Sequence, residues 1–177
     1  MCRDLGPVRQ DRDFRLCAHS CRVPIVDAMN EPRELRVLSR AESLELLASG
    51  HVGRVVLSAH ALPVAVPVNY VLDDDAVVFR SGPGVTLSAA RSGTVVAFQV
   101  DHFSPGLRMG WSVLATGIAH VLVDAADVER AVGLDIATWV EPAGGMDFVR
   151  VELGTVSGRW LVPVAQRLAV PPAGART

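Results

Sequence analysis

The residues with the clearest chemical potential stand together between positions 80 and 91. Arg80 and Ser81 are followed at once by Gly82-Pro83-Gly84 and a helix-like segment over residues 85–91, with Thr86 in its first turn. A guanidinium, a hydroxyl and a glycine-bearing turn that opens a helix are the parts of a modest phosphate site. The first amides of a helix lack intrahelical acceptors, the helix start carries partial positive charge, and arginine presents a planar fork of donors. Without further context, the same residues also read as a turn with a solvated arginine.

Other chemistry is sparse. The chain has no G-x-S-x-G elbow, no H-E-x-x-H, no P-loop lysine motif and no G-x-G-x-x-G after a strand. His51 and His60 fall in expected connections, His120 in a strand, and His102 beside a loop that could rim a cavity. Cys17, His19 and Cys21 form C-x-H-x-C, but structural zinc wants four ligands and no second pair follows, so no metal site is expected. Any redox chemistry would therefore come from a bound cofactor.

Composition narrows the class. The 177 residues are 50% hydrophobic, with Lys+Arg 17 against Asp+Glu 19 and a net charge of -2. That is one domain's worth of chain and gives no electrostatic case for a nucleic-acid partner. No apolar run reaches the ~18–20 residues that span a bilayer, so no membrane partner is expected. The charged first residues lack a signal core, and the three cysteines cluster within positions 2–21, so a reducing cytoplasm is the expected location.

The elements that must position Arg80 and its neighbours are mostly strands. Residues 1–36 lack periodicity and are expected as a flexible N-terminal extension. Ser39 and Glu42 make a capping box ahead of Leu44, Leu46 and Leu47, with a helix stop near Gly50. Residues 52–58 and 62–72 read as strands joined at Ala59-His60-Ala61. Pro63 and Pro67 place the second at an edge or a bulge. Asp73-Asp74-Asp75 turns into a hairpin partner over residues 76–80. Residues 94–100 and 111–123 are further strands separated by a loop over 101–110 containing Pro105. Residues 124–132 form a helix capped by Asp124, and residues 147–161 a final pair of strand pieces interrupted around Gly154. The sum is a mainly β fold with peripheral helices, a small barrel over residues 37–161, and an unstructured tail over 162–177.

The order of four pieces, SRAESLELLASGHVGRVVLS, LPVAVPVNYVLDDDAVVFRSGPG, VVAFQVD and GWSVLATGIA, with VSGRWL near the close, resembles the pyridoxamine 5'-phosphate oxidase-like family, in particular its small actinobacterial members. The resemblance implies an FMN-binding split β-barrel, dimeric, with the cofactor at the interface of a homodimer. It implies that the strand Pro67, Val68, Asn69 and Tyr70 lines the flavin ring with its backbone groups. Phe79, Arg80 and Ser81 would reach the ribityl chain and phosphate. Thr86 and Leu87 would complete the phosphate turn, and Trp111 and Ser112 would approach the cofactor across or beside the interface. Read as packing alone, Trp111 is a core or interface residue and Asn69 a strand terminator. The activity implied is a flavin-dependent oxidoreductase acting on a small-molecule substrate.

Two departures bear on that expectation. Thr86 stands where relatives commonly carry a lysine against the FMN phosphate, which keeps open the deazaflavin F420, or haem, or a non-catalytic binding module. The C-terminal run through Trp160 and Arg167 has Pro163 and a short spacing, and gives no support to pyridoxamine phosphate as the substrate.

Overall fold

The computed structural model describes residues 32–104, 109–139, 142 and 144–164. The Cys17/His19/Cys21 cluster, Pro105 and the tail beyond 164 lie outside the described residues. The elements run β1 (Arg33–Leu38), α1 (Arg40–Ser49), β2 (Val52–Ala59), β3 (Leu62–Asp73), β4 (Ala76–Ser81), α2 (Val85–Arg91), β5 (Val95–Ser104), β6 (Met109–Val121), α3 (Ala125–Gly133) and β7 (Asp147–Pro163).

Every strand pairing is antiparallel, in the order β1-β7-β4-β3-β2-β5-β6, and a further β6–β7 pairing joins the ends. Strands β2 to β7 thus close a barrel, and β1 adds to β7 outside it. Strand β7 makes this possible. Its first half pairs β4 and its second half β1, while β6 runs along its other edge.

Alternation sets the core. In β6, Trp111, Val113, Ala115 and Ala119 point inward, and Leu114 and Ile118 remain exposed. Tyr70, Phe79, Phe98, Trp111 and Trp160 fill the barrel with aliphatic residues from every strand of it. A second, small cluster of Val78, Ala131 and Ile136 lies beneath α3, so β4 is buried on both faces.

The capping box forms as expected. The Ser39 hydroxyl accepts the Glu42 amide at 3.3 Å, and the Glu42 carboxylate accepts the Ser39 amide at 2.8 Å. These bonds, first from the backbone and then from the hydroxyl of Ser39, with help from Arg36, hold the Glu42 carboxyl below its usual range. The β2–β3 hairpin turns on His60 and Ala61, both at positive φ (52° and 62°), which matches the twist of the flanking strands.

The structure departs from the expected bounds in three places. Residues 33–36, read as extension, already belong to β1; their charges hide the alternation, and an edge strand tolerates them. The expected loop at 101–110 is largely ladder, with β5 reaching Ser104 and β6 starting at Met109. Asp101 and His102 are polar because that ladder has a solvent side, not because the strand ends. Strand β7 is continuous through Gly154 to Pro163. The expected interruption is a bulge within it: Thr116 pairs with Thr155 and Gly117 with Leu153, which leaves Gly154 as the extra residue of β7, and a Cβ on Gly117 would sit 1.9 Å from the Glu152 carbonyl oxygen.

Candidate functional site

The β3–β4 ladder runs from Asp73↔Ala76 to Tyr70↔Phe79 and stops. One residue further on, the strands part. Residues 62–69 pair with β2 alone, and Arg80 and Ser81 pair with Phe148 and Asp147 of β7. Pro63 and Pro67 sit in the half of β3 that has a single neighbour, so the expected edge exists within an otherwise interior strand. Pro67, Val68 and Asn69 line one side of the resulting split, and Arg80 stands at its other side. Ala137, Thr138, Trp139 and Met146 border it too, leaving a hollow of about 180 Å³. Asn69 Nδ2 donates to the Ala137 carbonyl at 2.9 Å and ties that segment to β3.

Beyond Arg80 the chain turns into α2. The Arg80 guanidinium lies over the Phe148 ring, 5.7 Å from its centroid. The Ser81 hydroxyl donates to the Gly82 carbonyl at 3.2 Å. Gly84 gives α2 no side-chain cap, and a Cβ built there would meet nothing within 4 Å. The space over Gly84, three residues after Ser81, is therefore open at the start of α2. Thr86 is buried, at 6% exposure. Arg91, at the far end of the helix, is held by Asp147 at 3.0 Å. The donor set fits a phosphate ester, and the hollow beside it fits part of a nucleotide-sized ligand; whole ligands occupy roughly 300–1,000 Å³.

The other expected residues stand as follows in the fold. The side chains of Tyr70, Phe79 and Leu87 face the core. The Tyr70 hydroxyl donates to the Leu47 carbonyl, its ring meets Phe98 edge-on at 4.8 Å, and burial pushes its phenol pKa up. Trp111 is buried opposite Trp160 and 6.3 Å from His102, and its Nε1 has no hydrogen-bond partner among the described residues. Ser112 lines a separate hollow of about 320 Å³ with Gln99, Leu114, Ser157 and Arg159.

These two hollows share one face of the sheet. Pro67, Arg54, Gln99, Leu114 and Ser157 stand in register across β3, β2, β5, β6 and β7. At ~4.8 Å per strand, Pro67 and Gln99 are roughly 10 Å apart. Arg54 stands between them, paired with Asp101 at 2.9 Å. Sequence reasoning passed over Gln99, Arg54 and Arg159, which join this face only through the register of β2, β5, β6 and β7. It also passed over Ala137, Trp139 and Met146, for which irregular backbone leaves no periodic signal.

A third hollow, of about 410 Å³, lies by α3. Its basic residues are held by carboxylates: Asp73 meets Arg150 at 2.6 Å and Arg130 at 2.7 Å, and Arg150 also meets Glu152 at 2.7 Å. Among the described residues no group of His, Cys, Asp and Glu could hold a metal ion, and no helix is long and apolar enough to cross a membrane.

Comparison with known proteins places the fold. The profile of a family described as pyridoxamine 5'-phosphate oxidase matches residues 39–160. The uncharacterized protein Rv0080 of Mycobacterium tuberculosis is 39% identical over 132 residues, covering 71% of this chain and 85% of that protein. An FAD-binding protein from Mycobacterium smegmatis superposes with a TM-score of 0.61 at 30% identity, over 71% of this chain and 98% of the other. An FAD-binding protein from Mesorhizobium loti gives a TM-score of 0.61 at 29% identity, over 71% and 97%.

Proposed function

Because this chain belongs to the pyridoxamine 5'-phosphate oxidase-like family, we propose that it binds a flavin nucleotide in the β3–β4 split and serves as an oxidoreductase toward a small molecule, in the cytoplasm. The observation that carries this reading is the split itself. It places a free strand edge at residues 67–69 beside Arg80, Ser81 and the uncapped start of α2. Arg80, Ser81 and the amides of α2 would hold the phosphate, and the edge of β3 would face the ring. A bound flavin supplies the hydride chemistry; the side chains here bind, orient and exclude water.

The hollow at the split takes only part of such a ligand, and Ser112 and Gln99 lie farther along the same face. A second copy of the chain, packed through that face, would bring its own Ser112 hollow towards the split of the first. Leu114, Ile118 and Val95 are the exposed apolar residues that such a homodimer would cover.

The phosphate turn also bears on which flavin is bound. The terminal phosphate of FMN carries about −1.5 to −2 charge at neutral pH. The inner phosphate of FAD, an ester on its ribityl side and an anhydride on the other, carries only about one charge. A buried threonine at position 86, with Arg80 as the near cation, suits the smaller charge, and two relatives are FAD-binding proteins.

Visible-absorbance titration of the purified protein with FMN, FAD, F420 and haem tests the reading. FMN or FAD should bind, and Arg80→Ala should weaken it by roughly 10–100-fold, the value of a charge-assisted contact. Thr86→Lys should tighten FMN more than FAD. Binding of F420 or haem in place of both flavins would overturn the assignment.

A further inference from the structure

We propose that Trp139 is a specificity-determining residue of the flavin site, the aromatic wall that faces the edge of β3 and selects a planar ring. The inference rests on the flavin reading above and adds to it a residue from a segment with no regular structure. The start of that segment is fixed. Ile136, 8% exposed, packs with Val78 and Ala131 beneath α3, and the backbone reverses at Asp135 with φ of 48°. From that anchor Ala137 reaches β3 and accepts the Asn69 side-chain amide at 2.9 Å. Two residues later Trp139 lines the same hollow as Pro67, Asn69 and Arg80.

The position is costly unless something covers it. Trp139 is 61% exposed, while Trp111 and Trp160 are each 2% exposed. Leaving a large aromatic surface in water forgoes the stabilisation that burying it would give. A flat, electron-poor ring seated in the hollow would cover it, in a site that Pro67 and the indole both line. Arginine beside the hollow would then stand towards the phosphate end of the same ligand. The chemistry selected is a fused planar ring joined to a phosphate ester, as in FMN and FAD; a small aliphatic phosphate would gain nothing from the indole.

The test uses the full-length protein with FMN and FAD as probes, read by visible titration and by flavin emission. A stacked indole quenches flavin fluorescence, so the wild type should bind flavin in a weakly emitting form. Trp139→Ala should weaken binding by about tenfold, the scale of an aromatic contact with its buried area, and should restore emission of the bound fraction. Trp139→Phe should recover most of the affinity. Because Trp139 is exposed, melting curves of both variants should match the wild type. Flavin binding by Trp139→Ala with unchanged affinity and emission would overturn the role of Trp139 and leave the flavin site standing. Failure of the wild type to bind either flavin would overturn both.

Discussion

Replacing Tyr70 with phenylalanine separates a structural role from a cofactor role. Tyr70 is the only tyrosine of the chain, 2% exposed, and its hydroxyl donates to the Leu47 carbonyl near the end of α1. The Leu47 oxygen also accepts the Gly50 amide at 3.3 Å, so the substitution leaves that carbonyl with a second partner. The loss should therefore fall near the middle of the range for one neutral hydrogen bond, about 1 kcal/mol. For a chain of this size that is roughly 2–4 °C in melting temperature, read by circular dichroism at neutral pH. Flavin affinity should not change, because the phenol points away from the β3–β4 split. The pH dependence gives an independent reading. Burial raises the folded-state pKa of Tyr70 above that of the unfolded chain. Its contribution is thus fully present below pH ~10 and is lost as pH rises towards the folded value, since the unfolded state then binds fewer protons. Wild-type stability should fall above pH ~10, while the phenylalanine variant should show a shallower decline. With one tyrosine, the phenolate absorbance reports this residue alone and should appear together with unfolding. A variant with unchanged melting temperature and flavin affinity weakened tenfold would refute the placement.

Two further perturbations probe other parts of the fold. Burial works against the charge of Asp73, but hydrogen bonds from Arg150 and then Arg130 outweigh it and hold the carboxyl below its usual range. Asp73→Asn should cost ~1.5–3 kcal/mol at pH 7, and the gap to wild type in chemical denaturation should close as pH falls below ~4 through the folded value. Leu114→Arg places a charge at the middle of the outer face, where Leu114 is 46% exposed; the wild type should sediment as the proposed homodimer, and the variant as a monomer with lower flavin affinity. A stable dimer in that variant would move the interface elsewhere.

Much of the barrel was legible because local rules and tertiary packing agree there. The Ser39/Glu42 box, the Asp73–Asp75 turn and the start of α2 all fall where capping and turn chemistry put them. The site residues were legible only in part. Asn69 and Tyr70 are neighbours in sequence, as are Phe79 and Arg80, yet alternation sends Asn69 and Arg80 to the split and Tyr70 and Phe79 to the core. Sequence order names the pair and does not say which member faces the split. Strand β4 obscures the matter further, because α3 and Ile136 cover its second face and every residue from Ala76 to Phe79 is buried. Trp139 was out of reach for another reason. Its position depends on an anchor at Ile136 and a tie to Asn69, long-range contacts that leave no period in the chain.

The three-way pairing of β7 has a consequence for how the protein is made. Arg33 lies against Pro163, Ala76 against Glu152, and Val121 against Val149, so the earliest and middle strands all wait for the last one. Loop-closure entropy must be spent before those contacts return any stabilisation, and folds dominated by such pairings form in milliseconds to seconds, not microseconds. During synthesis the β2–β3 hairpin can form behind the ribosome, but the barrel stays an open sheet with unpaired β4 and β6 edges until residues 147–163 emerge. Over that interval the chain depends on those edges staying apart from their counterparts on neighbouring copies.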